Sequence, residues 1–113
     1  MKRDNDGGMT LSIIIPAYNA AEFIEATIQS ALAVVPRVLE VIVIDDGSTD
    51  ETPAICSSFG GAIRYRRVEN GGVSRARNIG AEMALGEWFL FLDADDLLLP
   101  NAVESLLESA QRQ

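Results

Sequence analysis

Two apolar runs restrict what this chain can fold into, because each passes without polar interruption straight into aspartates. Val41-Ile42-Val43-Ile44 leads into Asp45-Asp46-Gly47-Ser48-Thr49-Asp50, and Trp88-Phe89-Leu90-Phe91-Leu92 leads into Asp93-Ala94-Asp95-Asp96. Continuous apolar segments of this length read as strands buried on both faces, the pattern of a parallel sheet covered by helices. In open sheets of that kind ligands bind beyond the carboxyl ends of the strands, where these acids fall. Asp93 and Asp95 are spaced i, i+2, so in an extended chain their side chains point the same way. Paired carboxylates suit a hard divalent cation, Mg²⁺ or Mn²⁺, which takes one or two of them together with substrate phosphates.

The remaining chain supplies the elements such a sheet needs. Leu11 to Ile15 is a β-branched run expected to end at Pro16, whose missing N–H stops sheet pairing. Asn19 and Glu22 have the spacing of a capping box, and Phe23, Ile24, Thr27, Ile28, Ala31, Leu32 and Val35 recur at helical spacing. A helix is predicted from about Ala20 to Val34, closed before Pro36. Asp50 is placed to cap a second, short helix with Pro53 in its first turn, ending at Gly60-Gly61. Ala62 to Val68 alternates, with Ile63 and Tyr65 opposite Arg64 and Arg66, as in a half-exposed edge strand. After the Asn70-Gly71-Gly72 turn, Val73, Ala76, Gly80, Met83 and Ala84 mark a third helix that Gly86 stops. Pro100 suits a first helical position, and Ala102, Val103, Leu106, Leu107 and Ala110 form the face of a last one. Alternating strands and helices imply an α/β, Rossmann-like, mostly parallel sheet with right-handed crossovers and helices on both faces.

Composition narrows the chemistry. At 113 residues the chain is one domain at most, residues 10–113, behind a polar leader of residues 1–9 expected to be disordered. No apolar run approaches the roughly 18 residues of a membrane span, and the leader has no apolar segment of a secretory signal. The chain has no histidine and a single cysteine, Cys56, which removes the usual zinc sites and Ser-His or Cys-His nucleophiles. A reducing, cytoplasmic setting fits, with peripheral attachment at the inner membrane face compatible; Cys56 reads as a small buried hydrophobe. A net charge of −8 argues against nucleic-acid binding, which neutralises phosphates with Lys and Arg. Yet Arg64, Arg66, Arg67, Arg75 and Arg77 fall in one short segment, enough to place positive charge beside a small anion.

Each acidic segment also has a plain reading. Asp93 to Asp96 can be a solvated turn, and Asp45 to Asp50 a turn and helix cap in which Gly47, Ser48 and Asp50 take part. An aspartate at a strand end can equally accept a hydrogen bond from a nucleobase N–H, and Tyr18 can pack in the core or stack on that base. Neither G-x-G-x-x-G nor G-x-x-x-x-G-K-[ST] follows the first strand, so neither the dinucleotide fingerprint nor the P-loop is present.

Four segments in order resemble the successive motifs of family 2 glycosyltransferases with the GT-A fold. They are Ser-Ile-Ile-Ile-Pro-Ala-Tyr-Asn from Ser12, Val-Ile-Val-Ile-Asp-Asp-Gly-Ser-Thr-Asp from Val41, Asn-Gly-Gly-Val-Ser-Arg-Ala-Arg-Asn-Ile-Gly from Asn70, and Gly-Glu-Trp-Phe-Leu-Phe-Leu-Asp-Ala-Asp-Asp from Gly86. The resemblance covers Leu11 to about Ala110 and only the N-terminal, nucleotide-sugar-binding half of the family's domain, implying strand order 3-2-1-4. It implies that Pro16, Ala17 and Tyr18 line the nucleoside pocket and that Asp46 binds the base, most often uracil. Asp93-Ala94-Asp95 would be the D-x-D motif, with Asp95 a direct ligand of Mg²⁺ or Mn²⁺ and Asp93 near the ribose or metal. Arg75 and Arg77 would face the nucleotide. The family transfers sugar from a nucleoside-diphosphate donor, typically a UDP-sugar, to an acceptor hydroxyl with inversion. Its general base lies in the C-terminal half, so no catalytic residue is assigned here, and the acceptor is unknown. In the family's strand order later strands cover Trp88 to Leu92, so the chain is expected to form a homo-oligomer through that edge or to need the missing half. Two other readings stand beside this one. The chain is a non-catalytic module holding a nucleotide or partner, or a haloacid-dehalogenase-like phosphatase, whose Asp-x-Asp loop normally continues with Gly-Thr where this chain has Asp96-Leu97-Leu98.

Overall fold

The computed structural model describes residues 10–34 and 38–112. The expected leader, Val35 and the helix stop at Pro36 lie outside the described residues, as do the side chains of Leu106, Leu107 and Ala110. The elements follow in strict alternation: β1 (Leu11–Ala17), α1 (Ile24–Leu32), β2 (Val38–Asp45), α2 (Thr52–Ser57), β3 (Arg64–Arg67), α3 (Val73–Met83), β4 (Trp88–Phe91) and α4 (Pro100–Arg112). A 3-10 turn at Gly60–Ala62 joins α2 to β3. The four strands are parallel in the order β3-β2-β1-β4, the expected 3-2-1-4.

Alternation along β1 divides the core. Ile13 and Ile15 pack with Ile24, Ile28 and Ala31 of α1, Cys56 of α2 and Val103 of α4. Ile14 points the other way and joins Ile42 and Ile44 of β2 against Ala76 of α3. Each fully buried isoleucine contributes about 1.5–3 kcal/mol, which is why the β-branched runs of β1 and β2 occupy the middle of the sheet. Gly80 lets α3 lie close on that second face, since a Cβ there would come within 2.4 Å of the Ile14 Cγ2 methyl. Gly86 fills the matching role before β4, where a Cβ would meet the Ser12 Oγ at 2.7 Å.

Four expectations are corrected. β1 does not stop at Pro16 but continues to Ala17. The Ile14 carbonyl accepts from Leu92 and the Ala17 carbonyl accepts from Asp46, so residue 16 faces the β4 side at a point where β4 has already ended. The absent N–H therefore has no partner to lose. Second, α1 begins at Ile24, after a turn in which the Ala20 carbonyl accepts from Phe23 and Ile24. Asn19 does not cap it, because the loop after β2 claims its side chain. Third, β4 is not buried on both faces: Trp88, Phe89 and Phe91 are 43%, 47% and 43% exposed, while Leu92 is buried. Apolarity identifies the strand, but its position is outermost, with β1 its one neighbour among the described residues. Fourth, Val73 at the start of α3 is exposed rather than on its packed face. Beyond these, β3 is the half-exposed edge strand expected, with Ile63 buried and Arg64, Arg66 and Arg67 outside.

Candidate functional site

The carboxyl ends of β1, β2 and β4 lie along one rim of the sheet, with β1 central. Asp45 and Asp46 leave β2 in succession, so pleating sends their side chains to opposite faces. Asp45 turns toward the α2 side and is fully buried. Its carboxylate accepts from the Ser48 N–H (2.9 Å) and the Tyr65 hydroxyl (2.6 Å), and Arg67 Nη1 stands 3.5 Å away. Burial, and then the Asp45 carboxylate itself, raise the Tyr65 hydroxyl pKa, so the phenol stays protonated as the donor. Burial also pushes the Cys56 thiol up to about 12, with the Asp45 charge adding to it, so this cysteine is an inert core residue.

Asp46 turns toward α3 and is 5% exposed. Its two carboxylate oxygens accept from Gly71 N–H (2.8 Å) and Gly72 N–H (3.1 Å), while Asn70 Nδ2 donates to its carbonyl at 2.9 Å. The negative charge thus sits at the N-terminus of α3, where unpaired N–H groups and the helix dipole favour it. Oδ2 also accepts from Asn70 Nδ2 at 3.4 Å, whereas Oδ1 keeps a second lone pair as acceptor capacity toward the neighbouring cleft. That cleft, about 290 Å³, is lined by Pro16, Ala17, Tyr18, Asp46, Asn70, Gly72, Val73 and Ala76. The structure brings together four of the residues singled out in the sequence, Pro16, Ala17, Tyr18 and Asp46. It adds Asn70, whose turn-forming character hid a polar side chain aimed at Asp46.

The second part of the rim follows β4. The backbone turns after Phe91, with Asp96 N–H donating to the Asp93 carbonyl at 3.0 Å. Through this turn a ligand oxygen from each of Asp93, Asp95 and Asp96 lies within 4.8 Å of the others, and all three residues are exposed. Convergence comes from the turn rather than from pleating, and it adds Asp96 to the expected pair. Three hard oxygen donors at one spot are the donor set that Mg²⁺ or Mn²⁺ prefers. Ala94 is held from below, its carbonyl accepting the Thr27 hydroxyl of α1 at 2.8 Å.

The two arginines diverge, as residues two apart on a helix do. Arg77 reaches Asp93, Nη2 to Oδ1 at 3.6 Å, and its guanidinium lies 5.9 Å from the centre of the Phe91 ring. Arg75 folds back over the Gly71 turn and donates to the Glu69 carbonyl at 2.9 Å. Neither lines the Tyr18 cleft.

The loops are locked to one another by Asn19, Ser48 and Asp50, read from the sequence as caps or turns, and by Thr52, which no sequence pattern singles out. Ser48, Thr52 and Asp50 accept, in order, the N–H groups of Asn19 (2.9 Å), Ala20 (2.9 Å) and Ala21 (3.1 Å). Asn19 Oδ1 accepts in return from the Thr49 N–H at 2.7 Å and the Asp50 N–H at 3.3 Å. Asp50 also accepts from Thr52 at the start of α2; contacts with Thr52 hold its carboxyl below the ordinary value.

Comparison with known proteins bears on the family and the fold. The family model for glycosyl transferase family 2 matches residues 12–113. A Rickettsia bellii protein described as an uncharacterised glycosyltransferase is 49% identical over 96 residues, which cover 83% of this chain and 14% of that protein. A crystal structure of S. aureus TarS in complex with UDP-GlcNAc superposes with a TM-score of 0.78 at 28% identity, covering 92% of this chain and 32% of that one. Glucosyl-3-phosphoglycerate synthase of Mycobacterium tuberculosis, in complex with Mn²⁺, UDP and glucosyl-3-phosphoglycerate, gives a TM-score of 0.74 at 30% identity over 94% of this chain and 41% of the other. The chain therefore spans well under half the length of these relatives, and its parallel 3-2-1-4 sheet is the GT-A, Rossmann-like arrangement of TarS. On the match of the family model over nearly its whole length, the chain belongs to glycosyl transferase family 2.

Proposed function

We propose that this chain forms the donor-binding part of a metal-dependent, inverting glycosyltransferase that uses a nucleoside-diphosphate sugar, a UDP-sugar first of all. The observation that carries the reading is the placement of the Tyr18 and Asp46 cleft and the Asp93, Asp95 and Asp96 cluster on one rim, at the carboxyl ends of adjoining parallel strands. Tyr18 offers a face for base stacking and Asp46 a carboxylate acceptor for a base N–H, which is the pairing a uracil N–H would use. TarS and the mycobacterial synthase have been crystallised with UDP-GlcNAc and with UDP and Mn²⁺, which supports the same donor class here.

The loop after β1 adds support of its own. In dinucleotide-binding folds the amides of this loop bind phosphate. Here the amides of Asn19, Ala20 and Ala21 are filled by Ser48, Thr52 and Asp50, so the diphosphate charge must be met elsewhere on the rim. Asp95 and Asp93, with Asp96 beside them, would hold Mg²⁺ or Mn²⁺. When bound, the ion supplies Lewis-acid stabilisation of the departing diphosphate. Arg77, next to Asp93, adds a guanidinium close to the same charge. No side chain on this rim is assigned as the base for the acceptor hydroxyl, and the acceptor groove is assigned to sequence outside this chain.

Calorimetric titration with UDP and UDP-sugars, with and without Mn²⁺, tests the proposal. Binding is expected to require Mn²⁺, and Asp95→Ala to weaken it roughly tenfold or more, a loss of about 1.4 kcal/mol per tenfold. Equal affinity with the metal absent would refute the D-x-D assignment. A binding module without catalysis is the second reading; a transfer assay divides the two.

A further inference from the structure

Asn19 occupies a backbone conformation that needs a reason. Its φ of 49° is in the left-handed region, and among the described residues it is the non-glycine residue that adopts it. Asparagine tolerates this region better than other side chains, but such a conformation persists where the surroundings over-determine it. They do so here from both directions. The Asn19 N–H is taken by the Ser48 Oγ, and Asn19 Oδ1 takes the N–H groups of Thr49 and Asp50. The residue is thereby bonded through main chain and side chain to the loop that follows Asp46. Tyr18, the residue before it, is 53% exposed and lines the cleft, and its hydroxyl has no hydrogen bond to a described residue. The direction in which the Tyr18 side chain leaves the main chain, and with it the set of rotamers that reach the cleft, is set by the backbone it hangs from, and that backbone is set at Asn19.

We propose that Asn19 is a positioning residue of the donor site: its left-handed turn and the backbone N–H groups its side-chain oxygen accepts hold the Tyr18 ring facing Asp46 across the cleft. The inference deepens the reading of a nucleoside-diphosphate site and rests on it for the identity of the ligand. Asn19 does not touch the base; it fixes the distance between the two groups that do. Three substitutions separate the parts of the argument. Asn19→Asp keeps a side-chain oxygen and tolerance of the left-handed region. Asn19→Gly keeps the conformation without strain and loses the oxygen. Asn19→Ala loses both.

The experiment measures UDP affinity in the presence of Mn²⁺ by calorimetry, each variant's melting temperature, and amide hydrogen exchange at Thr49 and Asp50. Asn19→Asp is expected to bind within about threefold of the native chain, and Asn19→Ala and Asn19→Gly about tenfold more weakly at temperatures where each is folded. On a Tyr18→Ala background, Asn19→Gly is expected to cost no further affinity, since two residues acting through one contact are not additive. Native-like binding by Asn19→Gly overturns the proposal, as does the same loss with and without Tyr18. If the native chain binds no UDP, the donor reading fails, and amide exchange still decides the positioning role. Faster exchange at Thr49 and Asp50 in Asn19→Gly supports it, and unchanged protection overturns it. Asn19→Gly carries the test if Asn19→Ala does not fold.

Discussion

Asp45 and Asp46 are neighbours in sequence with separate occupations, and one bond of chain decides which is which. Asp45 is sealed among Tyr65, Ser48 and Arg67, whereas Asp46 closes the N-terminus of α3 and borders the cleft. The sequence shows two aspartates after a strand; only the pleat assigns them to faces. A partly buried acid, Glu40, was not legible at all, because a single glutamate in a strand has no motif. Its side chain is 9% exposed and accepts from Ser12 Oγ (2.7 Å), Leu85 N–H (2.6 Å) and Arg64 Nη1 (2.7 Å). Burial works to raise its pKa, but the Leu85, Ser12 and Arg64 interactions together hold it below the ordinary 4.5. A depressed carboxyl stabilises the fold fully above its unfolded pKa, and that share is lost as the pH falls through the lower folded value. Glu40→Gln is therefore expected to lower the melting temperature near neutral pH and to flatten its fall below pH 4.5, measured by thermal melts across pH.

At the scale of elements, apolar runs, periodicity and caps together located the helices and strands, and boundaries failed where a distant group intervened. α1 starts late because Asn19, read as its cap, is engaged by residues about 30 positions away. Pro16 does not break β1 because the neighbour it would have bonded has already ended. Gly80 was legible as part of an apolar helical face, but its reason is the Ile14 methyl beneath it. Gly80→Ala, a substitution that raises helix propensity, is expected to destabilise by about 1–3 kcal/mol through overpacking, a sign that denaturant melts read directly. A stabilised variant would mean that α3 lifts from the sheet at little cost. The acid loop was legible by type and position, whereas its third carboxylate, Asp96, and its Thr27 support depend on a turn and a helix packing that no local pattern announces.

For the molecule as a whole, the sheet ends in a strand that carries Trp88, Phe89 and Phe91 outward with no charge or proline to blunt it. Such an edge pairs readily with another of its kind. The chain studied by itself is expected to associate through β4 as concentration rises, and Phe89→Lys to suppress the association, with light scattering as the measurement. A compact monomer at every concentration would contradict this. The connections across the fold also differ in reach. Contacts that build the Tyr18 wall join residues 29 and 32 apart, and those of Asp46 to the α3 loop 25 apart. The Thr27 hydroxyl and the Ala94 carbonyl are separated by 67 residues. Closing a longer loop costs more chain entropy, so seating the acid loop carries a larger closure cost than joining the Tyr18 and Asp46 loops. Refolding is expected to protect the Gly71 and Gly72 amides, which Asp46 holds, before the Leu92 amide, which bonds Ile14 across the chain, with pulsed hydrogen exchange as the measurement.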